Sequence, residues 1–422
     1  MDIYFTILEK KVIKMKVAAI ICEYNPLHNG HLYQIDLTKK ITGCDSLIAI
    51  MSGNFVQRGE PAIIDKWLRT KMALSNGVDL VIELPAIYAL SSAEFFAEGA
   101  VLILNNLNVV NALCFGSECG EISPLLRIAE ILHMEPEDYR AYLKTFLNEG
   151  LVYPAARSLA LQKYITVNLK DSSAAYKNIL MTSNNILGIE YCKSLIANNS
   201  SIKPYTITRI GSGYNDENIS NGFSSATAIR KHLKNHGHME SIALQLPKNS
   251  FDIIMQLKKD NYDFTYPDSM FRYIKYKALT KRDTNIENLF DVSEGLHNRL
   301  YKYILESNSL EDLISKIKTK RYTYTRLSRI LTQYFIGFEE FDQSTLLNSK
   351  CDYIRVLGFN TRGGEILNLI KKNSTMKIIS KFPRNITNDI LKLDLATTRA
   401  YSVINKNVRH NDDYLRSPII FD

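Results

Sequence analysis

No Cys-x-x-Cys pair occurs among the six cysteines of this 422-residue chain. Cys114 and Cys119 could open a zinc site, but no second cysteine pair follows them. Four-ligand structural zinc is therefore not expected. The scattered Cys22, Cys44, Cys114, Cys119, Cys192 and Cys351 read instead as free thiols of a reducing compartment. No apolar run approaches the roughly 20 residues that span a bilayer. The opening "MDIYFTILEKKVIK" places acid before its apolar part and lysines after it, the reverse of a secretory signal. Residues 1–14 thus read as a short extension ahead of Met15, on a soluble, cytoplasmic protein with no membrane partner. Internal repeats and low-complexity tracts are absent as well. With 45% hydrophobic residues, the chain can fill the cores of two or three domains.

Charge is unevenly placed. Residues 1–240 carry 23 Lys+Arg against 23 Asp+Glu, whereas residues 241–422 carry 29 against 21, so the whole excess of +8 lies in the C-terminal part. That asymmetry fits one neutral portion and one that meets a polyanion, although a solvated basic face would look the same. Strand-like runs at 16–22, 46–51, 79–84, 112–115 and 203–207 alternate with helical patterns such as 66–75 and 92–103. Alternation of this kind predicts a parallel sheet covered on both faces, with ligands at the carboxyl ends of its strands.

Beyond about residue 240, after Gly237 and before Pro247, the strand signal fades. In "RYTYTRLSRILTQYF" the spacing of Leu327, Ile330, Leu331 and Tyr334 predicts an amphipathic helix, with Arg326 and Arg329 outside its core stripe. Lys316, Lys318, Lys320, Arg321, Arg326 and Arg329 form the strongest basic cluster, interleaved with Tyr322 and Tyr324. Such cations neutralise phosphates, and tyrosines stack on exposed bases.

"EYNPLHNGHL" follows the first strand and would put His28, Asn29, Gly30 and His31 at a helix N-terminus, where unpaired N–H groups and the dipole attract phosphate. Gly30 would leave room for a base against the backbone, and His28 and His31 could donate to phosphate oxygens. His-x-Gly-His in this position resembles the signature of the nucleotidyltransferase superfamily, which includes class I aminoacyl-tRNA synthetases and pantothenate synthetase. "GFSSATAIR" resembles its second half: Ser224, Ser225 and Thr227 at a helix start, with Arg230 within reach of the same anion. The Lys-Met-Ser-Lys-Ser motif of the synthetases is missing.

"AIICEYNPLHNGHLYQI", "MSGNFVQRGEPAIIDKWLRTKMAL", "GVDLVIELP", "CFGSE", "NNILGIEY", "RYTYTRLSRIL" and "YIRVLGFNTRG", taken in order, resemble the tRNA(Met) cytidine acetate ligase family from Met15 onward. That resemblance implies an α/β fold: a Rossmann-like nucleotidyltransferase domain with a parallel sheet over 15–240, plus a mainly α-helical, basic, tRNA-binding domain over 241–422. It implies ATP-dependent acetylation of the N4 amine of the wobble cytidine of elongator tRNA(Met), using acetate through an acetyl adenylate, with Mg2+ held by phosphates and water.

The family's nucleotide-binding segment corresponds to Ile21-Cys22-Glu23-Tyr24-Asn25-Pro26-Leu27-His28-Asn29-Gly30-His31-Leu32-Tyr33-Gln34, with Gly116, Asn184 and Arg209 as further ATP contacts. A one-residue shift from Asn184 to Asn185 is left open. His28, His31 and Arg230 would be catalytic. Ser52, Asn54, Gln57 and Arg58, in the loop after the second strand, are candidates for acetate, and Lys318, Arg321 and Arg326 for tRNA. No protein metal ligand stands out, and oligomeric state is left open, a homodimer among the options. Two rivals share the histidine loop: a small-molecule adenylyltransferase and a non-catalytic RNA-binding protein.

Overall fold

In the computed structural model the described residues are 15–170, 176, 179–209, 224–235, 237–280 and 285–422. The extension 1–14 and the Gly222–Phe223 start of "GFSSATAIR" lie outside them. Five parallel strands form the heart of the molecule: β1 (Val17–Cys22), β2 (Ser46–Ser52), β3 (Leu80–Leu84), β4 (Ala112–Ser117) and β5 (Lys203–Thr208). They lie in the order β3-β2-β1-β4-β5. Each falls within a residue or two of its expected position. Successive side chains of a strand point to opposite faces. Accordingly Val17, Ala19, Ile48 and Ile50 enter one core, and Ala18, Ile20, Leu47 and Ala49 enter the other. A sheet so covered explains why β2 and β3 are buried along their whole length.

Strand content does not end near residue 240. Three further strands, β6 (Tyr353–Asn360), β7 (Lys377–Ile379) and β8 (Ile419–Phe421), complete an eight-stranded sheet. β6 pairs antiparallel with β3, and β7 and β8 both run parallel to β6. The signal was weak because "YIRVLGFN" interrupts its apolar run with Arg355. That guanidinium is compensated only in three dimensions, where it lies 3.7 Å from Asp413. Lys66 is buried beside the same acid, 2.8 Å from both Asp413 and Glu83. Removing charges from water is costly unless each finds a partner, so this cluster ties strands β3 and β6 to residue 413.

Helices cover both faces, among them α1 (Asn29–Thr42), α2 (Lys66–Ser75), α3 (Ala93–Asn106), α4 (Ser183–Ala197), α5 (Ala226–Lys234) and α6 (Tyr324–Ile336). Leu327, Ile330, Leu331 and Tyr334 of α6 are fully buried, as their spacing predicts. They share one apolar core with Ile48 and Ile50 of β2. The helical portion beyond residue 240 is therefore packed onto the sheet itself. No helix among the described residues is long and apolar enough to cross a membrane.

A close join is at Gly59, in the turn of a small hairpin (Phe55–Val56 with Glu60–Pro61) that follows β2. Its carbonyl accepts from the Ser328 and Thr332 hydroxyls of α6 at 2.7 and 2.6 Å. Gly59 has φ +75°, and a Cβ there would stand 2.3 Å from the Arg329 nitrogen. Both backbone angle and space thus demand glycine. Gly59→Ala should lower unfolding stability by at least about 1–3 kcal/mol, read from a denaturation midpoint. An unchanged midpoint would show that hairpin and helix do not depend on this contact.

Candidate active site

At β1 the strand order reverses, with β2 on one side and β4 on the other, which is where open α/β sheets bind ligands. A crevice of about 330 Å³ opens there, lined by Ile21 and Cys22 of β1, Phe115 and Gly116 of β4, and the loop that leads from β1 into α1. Buried Arg69 of α2 fixes the strand ends by donating to the carbonyls of Glu23 at 2.6 Å and Ser52 at 3.0 Å, and to that of Gly53. Asn25 accepts from the Ile63 N–H at 2.8 Å, and Leu27 is fully buried beneath the loop.

His28 is the N-cap of α1. Its Nδ1 accepts from the Gly30 N–H at 3.0 Å, while the Nδ1 of His31 accepts from the His28 N–H at 3.3 Å. This is a reciprocal capping box made with two imidazoles. Main-chain N–H groups have no alternative proton position, so each Nδ1 must be the bare nitrogen and each Nε2 must carry the hydrogen. The rings stack with centroids 3.8 Å apart. Burial, with the Arg209 and Arg230 charges adding to it, holds His28 down to about 3. His31 is held well below the usual imidazole range by burial, by His28 and by Arg209. At neutral pH the crevice therefore presents two neutral N–H donors.

Gly30 lines the smaller hollow beside both rings and also serves the cap itself. A Cβ there would lie 2.8 Å from Cε1 of His28, so the glycine makes room for the capping ring. Gly116 lines the crevice, and a Cβ there would also meet Cγ of Arg209 at 3.1 Å. Leu32 donates to the His28 carbonyl at 3.1 Å, continuing the helix, and Tyr33 and Gln34 line a smaller hollow of about 40 Å³ with His28, His31, Arg209, Ser224 and Ser225.

The second motif half arrives from far along the chain. Ser225 caps α5 by accepting from the Ala228 N–H at 3.1 Å. Ser224 donates to the Gln245 side chain at 2.8 Å, and the Gln245 carbonyl accepts from the Asn29 N–H at 2.9 Å. The Asn29 side chain adds a bond to the Leu244 carbonyl at 2.8 Å. Residues 244–245 thus pin the starts of α1 and α5 together. Arg230 faces the crevice, donating to the Asn25 carbonyl at 2.9 Å and to Glu60 and Thr227 at 3.3 Å each.

Burial separates Asn184 from Asn185. Asn185 is 2% exposed and accepts from the N–H groups of Glu118 and Cys119, a purely architectural task. Asn184 lines the crevice, with its amide 2.7 Å from Glu118. Partial burial opposes charge on Glu118, but bonds from Asn184 and the Asn185 N–H outweigh it and hold the acid below its ordinary value.

The loop after β2 divides. Gln57 and Arg58 line the crevice, and Gln57 is set by donating its N–H to Glu23 at 2.9 Å and its amide to the Ser91 carbonyl at 3.1 Å. Ser52 and Asn54, contrary to expectation, are buried outside the crevice lining, where Asn54 accepts from the Lys66 N–H at 2.9 Å. Fully covered strand ends leave these short side chains no path to the mouth.

The basic cluster divides too. Lys318 and Arg321 are exposed, and Arg321 pairs with Glu294. Arg326 donates to the Asp291 carbonyl at 2.6 Å and lies over the Tyr322 ring. Arg329 is instead 8% exposed and turns into the crevice together with Thr325. Tyr322 is buried, and the Tyr324 hydroxyl bonds to Glu311, so neither ring stands open for a base. Thr325, Glu60 and Gln245 are site residues that sequence reasoning missed, since no spacing links them to the histidine loop, and Arg329 was read as part of the RNA-facing cluster.

A family model described as HIGH Nucleotidyl Transferase matches residues 15–414. A tRNA(Met) cytidine acetate ligase of Clostridium novyi (strain NT) is 52% identical over 96% of this chain and 99% of its own. One from Clostridium kluyveri is 50% identical over 97% and 100%. The crystal structure of Thermotoga maritima TmcAL in its apo form superposes with a TM-score of 0.90 at 33% identity, over 96% of this chain and all of that one. The same protein bound with alpha-thio ATP gives 0.86 at 33% identity, over 96% and 99%. With a crevice built on the His-x-Gly-His loop and such matches from end to end, the chain belongs to the tRNA(Met) cytidine acetate ligase family of HIGH nucleotidyl transferases.

Proposed function

We propose that this chain acetylates the N4 amine of the wobble cytidine of elongator tRNA(Met) in the cytoplasm, consuming ATP and acetate through an acetyl adenylate. The observation that carries the reading is the pair of Nε2–H donors fixed at the switch-point crevice. A cytosine exocyclic amine is a weak nucleophile and acetate a poor acyl donor, so joining acetate to AMP supplies the leaving group that the transfer needs.

In the first step an acetate oxygen attacks the α-phosphorus, the bond to the β-phosphate oxygen breaks, and pyrophosphate departs. His28 and His31 donate to the oxygens on which charge grows, while Arg230 and the Ser224–Thr227 helix start hold the departing pyrophosphate. To take that part Arg230 exchanges its Glu60 contact for the phosphates. Gly116, Asn184 and Arg209 face the adenosine side, and Gln57 and Arg58 the acetate. In the second step the cytidine amine attacks the acetyl carbonyl, AMP leaves, and the amine gives up its proton.

Magnesium enters with the nucleotide, held by phosphate oxygens and water. It would offset charge on the pyrophosphate.

Four outcomes test this reading. Incubation of tRNA(Met) with the protein, ATP, magnesium and acetate should add one acetyl group to the wobble cytidine by mass analysis; no gain, with pyrophosphate exchange equally absent, would remove it. His28→Ala should lower acetate-dependent ATP–pyrophosphate exchange about 10²- to 10³-fold. Because both folded rings resist protonation, kcat/KM for ATP should show no imidazole limb near the ordinary value of about 6.5. The sign for stability follows: below that pH the unfolded rings bind protons that the folded ones refuse, so stability falls as pH drops. A limb near 6.5 that disappears in His31→Asn would contradict this. Finally, neutralising Lys318, Arg321 and Arg326 together should weaken tRNA binding and flatten its salt dependence, leaving acetyl adenylate formation intact. Undiminished tRNA affinity at moderate salt would move the RNA surface elsewhere.

A further inference from the structure

The wall that α6 contributes to the crevice contains a buried cation without adequate compensation. Arg329 is 8% exposed, and its ion-pair partner, Asp291, stands 3.5 Å from Nη2. Its Nε is buried with no hydrogen-bond partner among the described residues. Burial disfavours its charged form, and the neighbouring Arg326 adds to that against the pull of Asp291. A desolvated, half-satisfied guanidinium is unfavourable unless an anion arrives.

The surroundings narrow the kind of anion. Arg329 shares the crevice lining with Thr325, Gln57, Arg58, Ala93 and Phe96, so that with Arg329 itself these supply two cations, two polar groups and an apolar wall. None of these five residues, nor Arg329, lines the smaller hollow, whereas His28, His31, Gln34, Gly116, Arg209 and Ser225 line both it and the crevice. A planar guanidinium matches the two oxygens of a carboxylate, and Ala93 and Phe96 suit a short alkyl group rather than a second phosphate. The site is also rigid: Ser328 and Thr332, flanking Arg329, hold the Gly59 carbonyl of the hairpin that carries Gln57 and Arg58.

We infer that Arg329 of α6, with Thr325 and Arg58 beside it, is the seat of the short carboxylate substrate. The inference rests on the acetate- and ATP-dependent reading above. One carboxylate oxygen stays on the guanidinium while the other attacks the α-phosphorus; the bond from that phosphorus to the β-phosphate oxygen breaks, and its electron pair leaves on pyrophosphate. A residue from the portion expected to meet tRNA thereby binds a substrate of the first chemical step.

The test is steady-state exchange of labelled pyrophosphate into ATP by the full chain, with acetate varied. Arg329→Gln should raise KM for acetate about tenfold or more, and leave KM for ATP unchanged. Arg329→Lys, which keeps the charge and loses the planar fork, should fall between. If Arg329→Gln does not fold, Thr325→Val carries the same expectation of a selective rise for acetate. An unaltered KM for acetate overturns the inference, as does a parallel rise for acetate and ATP, the mark of a merely structural role. Normal exchange with acetyl transfer to tRNA lost would make Arg329 a seat for an RNA phosphate, and so overturns it too. Wild-type protein that shows no acetate-dependent exchange fails at the earlier step and removes the function reading itself.

Discussion

Two main-chain N–H groups, those of Gly30 and His28, determine what the crevice can offer, because each donates into the Nδ1 of a histidine. An imidazole without such a bond may carry its proton on either nitrogen; one that accepts from the backbone has its other nitrogen committed as a donor. The stacking of the rings, their burial and the glycine between them all serve this arrangement. Neutral rings also avoid placing two like charges 3.8 Å apart beside Arg209 and Arg230. Donors fixed before the substrate arrives need no reorganisation when charge develops, which is the source of their catalytic value.

Helix α6 links this chemistry to the rest of the chain. One face, Leu327, Ile330, Leu331 and Tyr334, is core; another carries Arg326 toward the Asp291 carbonyl; a third sends Thr325 and Arg329 into the crevice. The apolar period fixes only the first of these. Charge alone cannot distinguish an arginine directed at solvent from one directed at a substrate cavity, since both lie off the core stripe.

That limit explains what was legible. The five parallel strands could be read from short β-branched runs, and helix α2 from its periodicity, since buried sheets and amphipathic helices impose patterns on neighbouring residues. His28, His31, Arg230, Asn184 and Arg209 came from motif resemblance, and all five side chains line one crevice. Ser52 and Asn54 were misread because position after a strand does not say which way a short side chain turns. Gln245 and Glu60 left no local signal, because their partners are remote in the chain: Gln245 meets Asn29 and Ser224, and Glu60 meets Arg230. Strand β6 was hidden by its buried Arg355, which only the distant Asp413 makes tolerable.

The Lys66–Glu83–Asp413 cluster has a bearing on how the molecule is made. Lys66 lies only a few residues from the loop that frames the crevice, yet one of its two counter-charges belongs to residue 413, and the edge of β3 waits for β6. A nascent chain translated as far as α6 would hold a buried ammonium short of an acid and an open sheet edge. The last strands and residue 413 thus supply both the missing acid and the cover for that edge.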